Sequence, residues 1–381
     1  MRCLSVHLQQ FRVHADRTFA FAPGLNLLYG PNGVGKTNVL EALHYLALTK
    51  SFVASSDAYA VRRGEKGAEL RGQFEGERRG VFPVRMMLGG ETGKVVTHGG
   101  APLATLAEHV GRVPLVVMAP QDYALTSEGP EERRKFLNNL LSQARPVYLD
   151  DLLRYTRALK QRNDLLFRAR GRRGALPDEL LDAWTEEVAT LGARVVHARR
   201  TALDAFVSYL ARAYDLLDAR VEVPSLRYDG AAEGDTVDEV ADDLRARFRK
   251  AYARERDMGR SLVGPHRDEV VFSLGDFEVR RYASQGQHRT FGVALRLAQY
   301  LYLADLAGEP PILLLDDLFG TLDAARTRLL LDLLTGDAMG QVIVTHPDRG
   351  DVAAYVGFDG VRHLTIDVRD QAAEAPAAEQ T

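Results

Sequence analysis

A chain of 381 residues is too long for one typical domain and long enough for two or three; 46% hydrophobic and 27% charged residues exclude a low-complexity or fibrous chain. A net charge of −3 excludes nucleic-acid binding through bulk charge, so any such binding needs local basic patches. The single cysteine, Cys3, excludes an internal disulfide and fits a reducing cytosol; Met1–His7 has no signal-peptide core, and no apolar run approaches the ~20 residues that span a bilayer.

Taken in order, Leu4, Val6 and Leu8 alternate, as do Phe19 and Phe21, and the spacing predicts a β-rich stretch over 1–120 with several short strands split by glycines in 70–98. Leu25–Tyr29 is a short apolar run ending at Gly30. Gly30, Pro31, Asn32, Gly33, Val34, Gly35, Lys36, Thr37 and Asn38 then complete a phosphate-binding loop of the GxxxxGKS/T form. Val39, Leu43, Leu46 and Ala47 follow at helical spacing, so the loop stands between a strand and a helix, the context that gives the motif meaning. Glycines admit positive φ and close backbone approach, consecutive N–H groups face an anion, Lys36 reaches the β and γ phosphates, and the Thr37 hydroxyl ligates Mg²⁺.

Two helical stretches are expected in 131–218. Leu149, Leu152, Leu153, Thr156, Leu159 and Leu166 mark the first; Leu181, Trp184, Val188, Leu191, Val195, Ala198, Ala202, Phe206 and Leu210 mark the second. A breaker-rich turn at 171–177 separates them, which reads as a short antiparallel helix pair, an arm. Residues 229–243 hold seven acidic and no basic residues, a loop entering a solvated helix. A helix is expected over 284–306, two core strands and a helix over 312–346, a closing strand over 361–368, and a disordered tail over 371–381.

Leu313–Asp316 is a buried-type strand whose tip carries two carboxylates, Asp316 for the metal and Asp317 to orient or activate water. The phosphate loop and this strand lie at opposite ends of the chain. The expected plan is therefore an α/β P-loop ATPase head built from 1–125 and 262–370, with an inserted helical lobe at 126–261.

Ser284-Gln285-Gly286-Gln287, set before a helix and shortly before the Asp316 strand, looks like the signature motif of ABC-type ATPases. Together with GPNGVGKTN at 30–38, GPEERRKFLNNLL at 129–141, GPHRDE at 264–269, SQGQHRT at 284–290 and LLLDDLFGTLD at 313–323, the chain resembles the RecF family over nearly its whole length. The resemblance implies an ABC-type head. It implies an ATP-closed homodimer in which Ser284, Gly286 and Gln287 meet nucleotide bound to the other copy, with Asp323 in a D-loop-like position. Gln121 matches the Q-loop glutamine and His346 the switch histidine, positions at which the family itself varies. ATP and Mg²⁺ are the implied cofactors. DNA, RecO and RecR are the implied partners in loading recombinase, with no membrane partner and a cytoplasmic, nucleoid-associated location.

DNA contacts are expected in basic clusters: eight basic residues against Asp164 between Arg154 and Arg173, with Arg170, Arg172 and Arg173 at the arm's tip; a second cluster from Arg245 to Arg260; and Arg62, Arg63 and Lys66 on the head. The readings left open are another ABC-type head, SMC-like or transporter-related, a P-loop kinase, and a nucleotide-binding scaffold. GPHRDE is expected either to orient the lobes or to support the nucleotide, and Arg12 to lie on the surface.

Overall fold

The computed structural model describes all residues except 91–92, 171–177, 219–222, 231, 322–323, 337–338 and 370–381. The expected turn at 171–177, the tail, Asp323, Arg172 and Arg173 therefore lie outside the described residues. The strands are β1 (Arg2–Phe11), β2 (His14–Ala20), β3 (Leu25–Tyr29), β4 (Gly67–Gly76), β5 (Gly80–Gly89), β6 (Val95–His98), β7 (Ala101–Pro102), β8 (Leu115–Met118), β9 (Pro224–Asp229), β10 (Glu269–Leu274), β11 (Phe277–Glu278), β12 (Ile312–Asp316), β13 (Val342–His346) and β14 (Leu364–Asp367). The helices are α1 (Lys36–Leu48), α2 (Tyr123–Ser127), α3 (Pro130–Ala144), α4 (Pro146–Ala169), α5 (Asp178–Leu216), α6 (Val237–Met258), α7 (Val279–Tyr282), α8 (Gln285–Ala307), α9 (Ala324–Thr335) and α10 (Arg349–Ala353). Among the described residues no helix is long and apolar enough to cross a membrane.

The chain divides into two units. The first holds Met1–Asp122, Arg212–Ala219 and Gly292–Thr381. Its five-stranded sheet runs β14-β3-β13-β12-β8 with every pairing parallel. β8, β12 and β13 are buried at every position, the near-continuous apolar signature of a parallel sheet covered on both faces. A six-stranded antiparallel sheet, β2-β1-β4-β5-β6-β7, alternates buried and exposed residues along β4 and β5. Here 67–98 forms two ten-residue strands and a short third rather than many short ones. Helix α1 packs against strands of both sheets and is buried on nearly all sides, so its apolar residues join the two in one core.

The two chain ends are stitched inside this unit. The Cys3 N–H donates to Gln341 Oε1 at 2.7 Å and Gln341 Nε2 returns a bond to Cys3 O at 2.8 Å, both buried. The N-terminal ammonium meets Glu309 at 3.0 Å and Pro310 O at 2.9 Å. These polar groups are far apart in sequence, and pairing them removes the cost of burying each alone.

The second unit holds Tyr123–Ala211 and Arg220–Phe291, so residues 262–291, assigned from sequence to the head, cluster here because β10 pairs with β9. Contacts between α4 and α5 run in opposite directions along the two helices: Arg162 Nε to Thr185 Oγ1 at 2.9 Å, Arg154 to Glu187 at 3.2 Å, Arg194 to Asp151 at 3.3 Å. Where one helix was expected to lead into the arm, there are two, α3 and α4. Arg145 takes an extended conformation before Pro146 and breaks them, as the residue before proline does.

The buried stripe of α4 also differs from the expected leucine stripe. It is Tyr148, Asp151, Tyr155, Ala158, Arg162, Leu166 and Ala169, while Leu153 and Thr156 are exposed. Polar residues occupy that face because partners wait for them. Arg162 bonds Glu255 and Ser261, each at 2.7 Å, and stacks 4.4 Å over Phe248. Along α5 the expected apolar positions are largely buried. Helix α6 begins at a complete capping box, Thr236 with Glu239, which draws the acidic stretch into its first turn.

The GPHRDE segment forms a buried polar hub of this unit. Arg199 donates to Pro265 O at 2.7 Å, Tyr148 Oη at 3.1 Å and Asn138 Oδ1 at 2.9 Å. Tyr155 Oη lies 2.6 Å from His266 Nδ1, and Tyr228 Oη donates to Asp268 at 2.5 Å. Arg133 holds Glu269 with two bonds of 2.8 Å. The motif thus ties α3, α4, α5 and β9 together.

Candidate nucleotide-binding site

Register decides what meets at the C-terminal edge of the parallel sheet. β12 against β13 sets Asp316 beside Thr345, and β13 against β3 sets His346 beside Tyr29, the residue before the loop. A crevice beyond the carboxyl ends of such strands is where doubly wound sheets hold ligands.

Gly30, Gly33 and Gly35 all stand at positive φ, 141°, 84° and 104°. Gly35 is the most constrained: a Cβ there would lie 2.6 Å from Val13 Cγ2 and 2.7 Å from His14 Nε2. It directly precedes α1, whose N-terminus carries no side-chain cap and no acidic residue in its first turn, in contrast to the capped α6. The helix dipole and the amides at that end suit an anion.

Lys36 is nearly buried, its ammonium donating to Gly30 O at 2.7 Å and Pro31 O at 3.0 Å. Burial pushes its pKa down, against the pull of Asp317 and Asp316. Thr37 Oγ1 and Thr345 Oγ1 each donate to Asp316 Oδ1 at 2.8 Å. Burial nevertheless raises the Asp316 pKa, because two hydroxyls and Lys36 only partly offset the lost water, and Asp317 adds repulsion. Asp317 is exposed and sits at φ 46°, with its N–H donating to Thr345 Oγ1 at 2.9 Å. The left-handed residue turns the chain off the strand tip and separates one buried carboxylate from one open to solvent.

Oxygen donors on Thr37 and Asp316, a lysine within reach of both carboxylates, and an uncapped helix end are what a nucleotide triphosphate with Mg²⁺ requires of a protein. His346 is buried, its Nδ1 2.7 Å from Asp348 O and 3.2 Å from Asp348 N, so the turn after β13 holds the ring. Gln121 is exposed on the turn after β8, which pairs with β12; its neighbour Asp122 is anchored by Arg296 at 2.6 Å.

Ser284, Gly286 and Gln287 lie in the second unit. There the Ser284 N–H donates to Gln287 Oε1 at 2.8 Å and Gln287 N–H to Ser284 Oγ at 3.2 Å, a capping box opening α8. Of the DNA candidates, Arg63 and Arg170 are exposed and Arg62 is half-buried. Arg162 leaves the first basic cluster, since it is fully buried against Glu255. Arg245 pairs with Glu186 and Asp242, and Arg247 with Asp243 and Glu233, which spends part of the second cluster's charge locally.

Two groups escaped sequence reasoning. Thr345 was visible only as strand; once β12 and β13 are known to be parallel neighbours, the residue facing Asp316 follows. Arg12, expected on the surface, stands at φ 52° and grips the fully buried Glu41 of α1 at 2.7 and 2.5 Å.

Residues 5–168 match the family model of an AAA domain. The DNA replication and repair protein RecF of Salinibacter ruber is 49% identical over 96% of this chain and 89% of its own length. RecF of Chloroherpeton thalassium is 38% identical over 93% and 96%. A solved structure of the recombination mediator protein RecF-ATP in the RecFOR pathway superposes with a TM-score of 0.85 at 28% identity, covering 92% of each chain. An Smc head domain of Pyrococcus furiosus, at a TM-score of 0.51 and 15% identity over 92% and 90%, shares the ABC-type head fold. With such identity to curated relatives over nearly its whole length, the chain belongs to the RecF family.

Proposed function

We propose that this chain is an ATP-dependent DNA-binding protein of recombinational repair and replication, acting on chromosomal DNA in the cytoplasm. ATP closes two copies on duplex DNA or a single-strand/double-strand junction, slow hydrolysis releases them, and RecO and RecR join in loading recombinase. The observation that carries this reading is the Thr37–Asp316–Thr345 cluster beside Lys36, in a chain of the RecF family.

Lys36 and N–H groups of the loop hold the phosphates. Thr37 and Asp316 would hold Mg²⁺ through their oxygens, and the ion would supply positive charge to the phosphates. Asp317, exposed beside Asp316, orients water; as the shorter acid it holds that water less closely than a glutamate would, so turnover is slow. Gln121 and His346 border the same sheet edge. Ser284 of the partner subunit, with its Gly286, Gln287 and Asp323, completes the site from the other copy. DNA is held through phosphates by Arg62, Arg63, Arg170, Arg172 and Arg173, without sequence preference.

DNA binding measured with ATP, with ADP and without nucleotide tests the reading. Wild type is expected to retain DNA best in ATP, and Lys36→Arg to lose that advantage. Equal retention in all three conditions overturns the switch.

A further inference from the structure

We propose that His14 is a positioning residue for the phosphate-binding loop: its Nε2–H, delivered from the start of β2, fixes the Gly35–Lys36 peptide so that the Lys36 N–H points off the N-terminal end of α1. This rests on the nucleotide-binding reading above and adds a residue outside the loop itself.

The His14 ring is 4% exposed and its Nε2 lies 3.2 Å from Gly35 O. The same carbonyl accepts the N–H groups of Asn38 at 3.0 Å and Val39 at 3.2 Å. The peptide is planar and trans, so whatever fixes the Gly35 carbonyl along the helix fixes the Lys36 N–H in the opposite sense, toward where helix ends take anions. A carbonyl oxygen only accepts, so the contact assigns the proton to Nε2, and burial pushes the ring's pKa down against the pull of that bond.

The ring is itself held. It stands edge-on to Phe19 at 5.7 Å and pairs across the hairpin with Phe11. Two residues before His14, in the same turn, Arg12 grips Glu41 of α1 at 2.7 Å, and Glu41 also accepts from Ser51 Oγ. The β1–β2 turn therefore seizes the loop at Gly35 and its helix at Glu41. Packing alone does not account for an imidazole here, because an apolar side chain fills the same volume without a polar group to satisfy.

The test compares His14→Gln, which keeps an N–H at similar reach, with His14→Met, which has similar length and no donor. Titration with ATP and Mg²⁺ is expected to show His14→Met weakened about five- to tenfold, the scale of one hydrogen bond, and His14→Gln within about threefold of wild type. Thermal melting without nucleotide is expected to leave the two variants alike. Equal ATP affinities for Gln and Met variants overturn the positioning role while the nucleotide reading stands. Failure of wild type itself to bind ATP, with Lys36→Ala no different, overturns the nucleotide reading instead.

Discussion

Asp316 ionises where water is scarce, and its two hydroxyl donors and Lys36 do not restore what burial removes. Its folded pKa therefore lies above its unfolded value. The stability this gives the protonated acid is present below the unfolded pKa and is lost as pH rises through the folded pKa, so at neutral pH the charge costs stability. Asp316→Asn keeps an oxygen for Thr37 and Thr345 and removes the charge. Without nucleotide it is expected to melt at or above the wild-type temperature. Its Mg²⁺-dependent hydrolysis is expected to fall by roughly a hundredfold or more, the scale of a preorganised electrostatic group. A lower melting temperature would show that the carboxylate stabilises the fold.

At the level of elements, the helical unit separates ion pairs that matter from those that decorate. Arg162 and Glu255 are both fully buried, and removing one partner leaves the other charged and dry. Glu255→Ala is expected to destabilise this unit by about 3–5 kcal/mol in urea unfolding. Glu186→Ala, which removes an exposed partner of Arg245, is expected to cost under about 1 kcal/mol. Equal costs would mean that burial is not what distinguishes the pairs. The two helices of the arm were legible in the sequence from periodicity, but the facing side of α4 was not. Leucine spacing pointed to Leu149, Leu152 and Leu153, whereas the buried stripe carries Tyr155 and Arg162. A charged residue reads as exposed until its partner, in this case distant in sequence, is known.

For the whole molecule, the proposal turns on Ser284, which already has a local task as the cap of α8. Losing the cap costs about 1 kcal/mol and leaves assembly untouched, so two substitutions separate the roles. Wild type is expected to sediment as a dimer in ATP and a monomer without it. Ser284→Arg, bulky and without a cap, and Ser284→Asp, which keeps a capping oxygen but repels phosphate, are both expected to remain monomers in ATP. Normal dimerisation of either variant, or a wild type that stays monomeric in ATP, removes the partner-completed site.

Sequence alone determined the glycine-rich loop between a strand and a helix, the twin aspartates at a strand tip, the family and the assembly of one head from both chain ends. These signals are local: a loop, a strand and a cap each declare their chemistry within about ten residues of chain. Only the tertiary structure decided that Thr345 shares Asp316 with Thr37, that Arg12 clamps Glu41, that His14 reaches Gly35 O and that Arg162 points inward. Each of these pairings depends on strand register or on which helix face meets another element. Packing between distant segments sets both, and no stretch of the chain carries them by itself.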